Sequence, residues 1–379
     1  MTRNILSLTG ACALAVGLSS SAFAIQWNDI AVGTDANIGG GSVYTLKAAD
    51  LSSAVDPLGG GVNPATGLGE IADVGFQTNR TPLPPNTPPN TFPGGPDKAL
   101  ETVVWLTTAG SAGNANANRP GDKLLNTIST GFTGVDLTVL GDDTVFLGGS
   151  GVGEGDIQAS GLQASLGSPA VGDGVVDSVW QKIPSNDVAV AYISGTSGML
   201  GVRDNDGSTV GADVMLSDLP IDVDVYRQDP TLVVATADNV LSKRDGLSLA
   251  EIGSVTVGSG ELVAISVLSD RTVAVALFDG LGSVIEFYDE DLNFVSDSGT
   301  VFDSIEITAM DNQNLIDTLV IGDTQGNVTI YDSSNFSVIA TENLGAGAIT
   351  AITVNAPEPT AAVLAWISLA GLSLSRRRG

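Results

Sequence analysis

The sequence predicts an all-β fold, and three observations support this prediction. Apolar tetrads recur along the chain, beginning at Ile30, Val103, Val145, Val188, Leu232, Val273 and Leu319. They are rich in β-branched residues and bounded by Asp, Gly, Asn and Ser, which is typical of buried strands. After the first interval their spacings are 42, 43, 44, 41 and 46 residues, and no long helical pattern interrupts them.

Each repeat contains further strand signals. Alternating strands precede several tetrads, in the segments that begin at Val135, Ile221, Leu262 and Ile305. After each of the last four tetrads, another strand ends in Arg-Asp or Tyr-Asp, at Asp204, Asp245, Asp289 and Asp332. An Asp in this position can accept hydrogen bonds from backbone amides of the following turn. Four antiparallel strands in about 42 residues match the size of one propeller blade.

The pattern resembles a WD40-like seven-bladed β-propeller over residues 25–355. The Tyr-Asp and Arg-Asp pairs stand where that family has its Trp-Asp pair, whereas its Gly-His element is missing because the chain contains no histidine. The resemblance implies seven blades of four antiparallel strands. A propeller with another blade count and a different all-β fold are the alternatives.

The two ends of the repeat region complement each other. The segment from Ala348 has the pattern of a first strand but no tetrad follows it, and the tetrad at Ile30 has little chain before it. Pairing of these strands would close the ring and remove exposed sheet edges. Six tetrads end in a small residue, which would let neighbouring sheets approach closely near the axis: Gly33, Gly148, Ala191, Ala235, Ala276 and Gly322.

A proline-rich insertion is predicted at about residues 80–99. It accounts for the interval of 73 residues between Ile30 and Val103. Proline removes ladder hydrogen bonds and favours extended conformations. We therefore expect a surface excursion between a first strand near Ile71 and the tetrad at Val103, with a partner-binding loop as the alternative.

The N-terminal segment, residues 1–24, is predicted to be a signal peptide. Arg3 precedes an apolar run from Ile5 to Leu18, and Ala22 and Ala24 flank the expected cleavage position, after Ala24. A retained membrane anchor is the alternative. The single cysteine, Cys12, lies in this segment, so the processed chain would have no disulfide.

The C-terminal segment, residues 356–379, has three parts. Pro357, Glu358 and Pro359 precede an apolar run over residues 360–375, and Arg376, Arg377 and Arg378 follow it. As a helix the run would be about 24 Å long, close to membrane-spanning length, and the arginines would stay cytoplasmic. The sequence therefore predicts a transmembrane helix that holds an exported body outside the membrane.

This order of features resembles the PEP-CTERM sorting signal of Gram-negative bacteria, although Ala356 stands where that family often has Val. The resemblance implies export by the Sec pathway, an inner-membrane intermediate and recognition by an exosortase. It further implies removal of the helix and delivery to the cell surface or to an extracellular polysaccharide matrix. A permanent single-pass anchor is the alternative.

Charge limits the choice of partners. The chain has 15 basic and 43 acidic residues, a net charge of −28, and loss of both terminal segments would bring it near −31. Such a polyanion repels nucleic acid and anionic lipid, so we predict no nucleic-acid partner. Cations, neutral polymers and cationic polymers remain as partners.

The sequence identifies no catalytic residue and no cofactor. The absence of histidine removes imidazole catalysis and histidine metal centres, whereas paired carboxylates could still support hydrolysis. Asp204, Asp206 and Asp213 match three positions of a calcium-binding loop, but Val202 occupies the first ligand position, so a hairpin turn is favoured. Calcium bound near the axis remains an open alternative.

Three functional hypotheses follow. The first is a non-enzymatic exported propeller that binds polysaccharide or protein through its loops. The second is an extracellular carbohydrate-active hydrolase that uses carboxylates, and the third is a matrix protein cross-linked by calcium.

Overall fold

The strands lie where the tetrads and the alternating segments predict them. The computed structural model describes residues 30–38, 40–47, 50–51, 65–79, 100–116, 124–140, 144–149, 153–158, 161–162, 172–181, 187–204, 207–226, 229–313 and 318–354. The predicted signal peptide, the proline-rich insertion and the C-terminal sorting segment lie outside these ranges. Within them, no helix is long and apolar enough to cross a membrane.

The described residues form 28 strands. The first eleven are β1 (Ile30–Thr34), β2 (Ser42–Leu46), β3 (Ala65–Thr66), β4 (Ile71–Asn79), β5 (Leu100–Thr107), β6 (Ser111–Asn116), β7 (Leu124–Ser129), β8 (Gly134–Val139), β9 (Thr144–Gly149), β10 (Gly153–Gln158) and β11 (Gly161–Leu162). The next eight are β12 (Gly174–Gln181), β13 (Asp187–Ser194), β14 (Ser197–Arg203), β15 (Val214–Met215), β16 (Pro220–Tyr226), β17 (Thr231–Thr236), β18 (Val240–Asp245) and β19 (Glu251–Thr256). The last nine are β20 (Glu261–Val267), β21 (Val273–Phe278), β22 (Ser283–Tyr288), β23 (Phe294–Asp297), β24 (Ile307–Gln313), β25 (Thr318–Asp323), β26 (Asn327–Asp332), β27 (Val338–Asn343) and β28 (Ile349–Val354).

Among the described residues these strands make seven four-stranded antiparallel sheets. One sheet, blade 1, has the order β28-β1-β2-β3. Blades 2 to 7 follow in chain order, each from four consecutive strands, beginning with β4, β8, β12, β16, β20 and β24. The first strand in each order is the inner strand of its blade.

The sheets close into a ring. The inner strand of each blade contacts the inner strand of the next, and β24 of blade 7 contacts β28 of blade 1. The C-terminal strand pairs with the N-terminal one, with Val354 opposite Ile30 and Ala351 opposite Gly33. This arrangement defines a β-propeller, and the prediction of four-stranded antiparallel blades is confirmed.

The core lies between adjacent blades and contains the predicted tetrads. All seven tetrads fall on the second strands of the blades and are buried. The predicted role of their terminal glycines is confirmed at three blades. A Cβ on Gly33 would lie 2.5 Å from Cγ2 of Ile71, and one on Gly322 would lie 2.4 Å from Cγ2 of Ile349. Gly148 lies equally close to Val175, so these glycines permit the close approach of the next blade.

The ring has two faces, which the antiparallel register distinguishes. We call one the terminal face because Ile30 and Val354 lie there, together with the turns after the first and third strands of each blade. The other is the distal face. It carries the turns after the second strands and the connections between blades.

Candidate functional site

The junctions between inner strands, which we call seams, carry the most unusual polar groups of the described residues. The inner strand is the edge of each sheet, so part of its backbone amides have no partner within the blade. All seven inner strands contain a register shift near their start. In four consecutive blades the residue after that shift is an aspartate: Asp73, Asp136, Asp177 and Asp222.

These aspartates join one blade to the next. The N–H of Leu137 in blade 3 donates to Oδ2 of Asp73 in blade 2 (2.8 Å). The N–H groups of Val223 and Ile265 donate in the same way to Asp177 (2.6 Å) and Asp222 (2.7 Å) of the preceding blades. Unpaired edge amides are costly when buried, so the carboxylates stabilise the ring by satisfying them.

Two further aspartates accept a bond of the same kind, and each lies two positions after the residue that follows the register shift of its strand. Asp224 accepts from the N–H of Val267, and Asp311 accepts from the N–H of Val354, both at 2.7 Å. The second of these bonds ties blade 7 to the C-terminal strand. The bonds join equivalent register positions of successive blades, so the inner strands run in the same direction around the ring.

Asp73, Asp136, Asp177 and Asp222 form a continuous series, which we call the carboxyl chain. The carboxyl groups of Asp73 and Asp136, of Asp136 and Asp177, and of Asp177 and Asp222 lie close enough across the seams to affect each other's pKa. The hydroxyl of Ser178 also donates to Asp136. The charge of one carboxyl group raises the pKa of the next, so the groups titrate as a coupled set.

Burial dominates the protonation of the carboxyl chain. It raises the pKa of Asp136 to about 6, against the opposing effect of the bond from Ser178. Burial raises the pKa of Asp73 well above its usual value, and the negative charge of Asp136 adds to this. For Asp177, burial and then the charges of Asp222 and Asp136 raise the pKa. Burial likewise raises the pKa of Asp222.

Two other seams contain contacts that involve no carboxyl group. Between blades 6 and 7, Nδ2 of Asn312 donates to Oγ of Ser266 (2.8 Å) and to the carbonyl of Val267 (2.9 Å). Between blades 1 and 2, Gly33 instead permits direct contact with Ile71. The carboxyl chain therefore belongs to one half of the ring.

The recurring Asp at the third strand of each later blade caps its turn, as predicted. Oδ1 of Asp245 accepts from the N–H groups of Leu247 (3.1 Å) and Ser248 (2.7 Å). Asp204, Asp289 and Asp332 accept equivalent bonds from backbone amides of their own turns. These bonds lower the pKa of Asp245, Asp289 and Asp332. The amides of each turn therefore stabilise the charged form of these three carboxylates.

Two of the three candidate calcium ligands, Asp204 and Asp213, are described, and they make different contacts. Asp213 accepts two hydrogen bonds from Arg203 (2.9 and 2.8 Å) and one from the hydroxyl of Tyr192 (2.5 Å). Asp204 caps its turn, and Asp206 lies outside the described residues. Nowhere in the described ranges do three acidic, cysteine or histidine side chains group as metal ligands would.

The remaining predicted site residues lie outside the described ranges. These are Ala22 and Ala24 at the cleavage position, Pro357, Glu358 and Pro359, and Arg376, Arg377 and Arg378. Sequence reasoning missed the carboxyl chain. The available signal was an acidic residue inside an apolar strand that precedes a tetrad, as in the segments around Asp136 and Asp222.

Comparison with known proteins adds little to this description. No protein family and no curated protein matches the chain. Many solved structures match, among them BamB from Moraxella catarrhalis, with 12% identity over 67% of this chain and 88% of that one and a TM-score of 0.47. The strand pairing and the contacts between inner strands define the propeller independently of this likeness.

Proposed function

We propose that this protein is an exported, non-enzymatic propeller of the cell surface or extracellular matrix that binds polysaccharide or protein. One observation carries the proposal: the chain enters and leaves the ring at the terminal face, which leaves the turns of the distal face free. A rigid ring that fixes many turns on one face is a common scaffold for binding. The sorting resemblance of residues 356–379 supports delivery through an exosortase.

The use of the aspartates supports binding rather than catalysis. The carboxylates closest to one another bridge backbone amides of adjacent blades, and those in the turns cap backbone amides. Both arrangements stabilise the fold.

A direct test would probe the distal face. The protein is screened against matrix polysaccharides and surface-protein extracts, alongside variants with distal turn residues replaced, such as Leu281→Ser, and a terminal-face control, Leu247→Ser. Binding without turnover that is weakened only by distal substitutions is expected. Binding unaffected by every distal substitution would contradict the proposal.

A carboxylate-dependent hydrolase is the second candidate, and one observation favours it. Asp136, whose pKa burial raises to about 6, lies beside Asp73 and Asp177, so carboxyl groups that differ in protonation lie together, as general acid–base hydrolysis requires. Release of sugars from matrix polysaccharide, abolished in a folded Asp136→Asn variant, would establish it in place of the binding role.

A further inference from the structure

The chain leaves the propeller close to the segment that is predicted to span a membrane. Val354 ends β28 at the terminal face, and the apolar run begins at Thr360. Six residue steps can extend over about 20 Å at most. An inner strand of six residues is itself about 20 Å long, so its two ends lie on faces about that far apart. A tail in the bilayer would therefore keep the end of β28, on the terminal face, within about 20 Å of the lipid.

Large apolar side chains are exposed at the same end of the molecule. Six of them, which we call the apolar rim, are Leu247, Ile252, Phe294, Val295, Val338 and Ile339, each at least half exposed. They lie in the turn before β19 or at the starts of β19, β23 and β27, the outermost strands of blades 5, 6 and 7. The register places these strand starts at the terminal face, since Phe294 pairs with Tyr288 and Val338 with Tyr331.

The apolar rim follows the outer edges of three consecutive blades, on the face where the tail leaves from the inner strand β28. Blade 7 adjoins blade 1, which contains Val354. Contiguous exposed apolar side chains commonly mark a contact surface. A contact that follows the outer edge of three blades, on the face where the tail leaves, fits an extended, flat partner.

Charge decides between a second copy of the chain and a lipid surface. Two copies, each with a net charge near the −28 of the full chain, repel each other, whereas a zwitterionic lipid surface does not. Ion pairs with basic side chains also neutralise part of the negative charge beside the apolar rim. Arg271 pairs with Asp229 (2.6 Å) and Glu290 (2.7 Å), and Lys243 lies 3.8 Å from Glu290.

From these observations we infer that the apolar rim contacts the lipid–water interface of a neutral membrane while the C-terminal tail is inserted. The inference rests on the proposed membrane insertion of residues 360–375. The charged turn aspartates Asp245, Asp289 and Asp332 stay in the aqueous headgroup layer, and the side chains of the rim enter the interface. The distal face then points away from the membrane.

Fluorescence quenching by lipid tests the orientation. Replacing Cys12 by Ser removes the only cysteine of the chain, so single labels can be placed at will. Rim sites Ile252→Cys, Phe294→Cys and Val338→Cys are compared with distal-face sites Leu281→Cys and Ile38→Cys, which are 84% and 54% exposed. Each full-length variant is labelled with a polarity-sensitive fluorophore and bound to phosphatidylcholine vesicles that contain brominated acyl chains.

Quenching several-fold stronger at the rim sites than at the distal sites is expected. Equal quenching at both sets, or stronger quenching at Leu281→Cys, would overturn the inference. Adding Phe294→Asp to the Ile252→Cys protein should reduce its quenching, whereas adding Leu281→Asp should not. An effect of Leu281→Asp as large as that of Phe294→Asp would also contradict rim contact.

Flotation of the same samples separates this inference from the proposed anchoring. A chain that floats with the vesicles but has unquenched rim labels overturns the orientation alone. A chain that fails to float overturns both membrane insertion of the tail and the contact that rests on it. Addition of phosphatidylglycerol should weaken rim quenching through charge repulsion, and a strengthened signal would contradict an apolar contact.

Discussion

Asp136 illustrates, at the scale of a residue, how one carboxyl group can join two blades and make their junction sensitive to pH. Its side chain is 5% exposed and accepts a hydrogen bond from Ser178 of the next blade. The carboxyl groups of Asp73 and Asp177 lie on either side of it. The titratable groups that face Asp136 are therefore acidic, and no basic group is among the causes of its raised pKa.

The first prediction concerns the loss of its charge. Because burial raises the pKa of Asp136 from 3.8 to about 6, its contribution to stability is complete below pH 4 and is lost as the pH rises through 6. Asp136→Asn cannot ionise. We expect the variant to match the wild type near pH 4 and to be more stable at pH 8 by on the order of 2 kcal/mol in urea unfolding.

Asp311→Asn is the matched control for this experiment. Asp311 makes the same kind of bridge, to the N–H of Val354, but lies outside the carboxyl chain, beside Ala309. Its substitution gives the change in unfolding that the loss of one inter-blade bridge causes without the loss of a member of the carboxyl chain. A parallel pH profile for Asp136→Asn and the wild type would contradict a raised pKa of Asp136 in the seam.

Gly322 carries the second prediction at this scale. Because a Cβ there would lie 2.4 Å from Cγ2 of Ile349, Gly322→Ala should destabilise the protein by about 1–3 kcal/mol through overpacking. Chemical denaturation measures the effect. Gly253→Ala is the control, since nothing lies within 4 Å of a Cβ at Gly253. Destabilisation no greater than that of the control would show that blade 1 can move away from Gly322.

At the scale of an element, β28 is the strand that closes the ring. It is the inner strand of blade 1, it pairs with β1, and the N–H of its Val354 donates to Asp311 of blade 7. Its absence would expose the buried side chains of Ile30 and Val32 and open the ring.

Two truncations test this role. A chain that stops after Ala356 keeps β28 and should unfold at the same urea concentration as the full-length chain. A chain that stops after Gly347 lacks β28 and should lose cooperative unfolding, because blade 1 has no inner strand. Folding of the shorter chain with an unchanged midpoint would contradict closure by β28.

At the scale of the whole molecule, net charge opposes compactness. The chain carries a net charge of −28, a formal count that includes the four buried acidic groups of the carboxyl chain in one half of the ring. Repulsion among exposed charges is screened by salt, since the Debye length falls from roughly 20 Å at 20 mM to about 4 Å at 500 mM.

We therefore expect sodium chloride to raise the thermal midpoint by about 3–8 °C over this range. Calcium chloride at equal ionic strength should give the same rise if it acts by screening alone, and a much larger rise would favour the calcium-bridged alternative. A midpoint that falls or stays constant with sodium chloride would show that repulsion is not a significant cost to the fold.

Much of the architecture could be read from the sequence because it follows local rules. The second strand of each blade is buried on both faces and therefore needs a continuous apolar tetrad. The turn after each later third strand needs a side chain that accepts from its amides, such as Asp289. Close contact between blades needs glycine at positions such as Gly322. Each of these signals lies within one repeat. The unmatched strand at Ala348 even indicated how the ends would meet.

By itself, the sequence determined the all-β class, the period of the blades, the acidic charge and the absence of imidazole chemistry. Only the tertiary structure revealed the carboxyl chain, because Asp73, Asp136, Asp177 and Asp222 are far apart in the chain and meet only across the seams. The same holds for the apolar rim and its position on the face where the tail leaves. The physical reason is that strand patterns record burial within a blade, whereas contacts between inner strands and the direction of each face depend on how the ring closes.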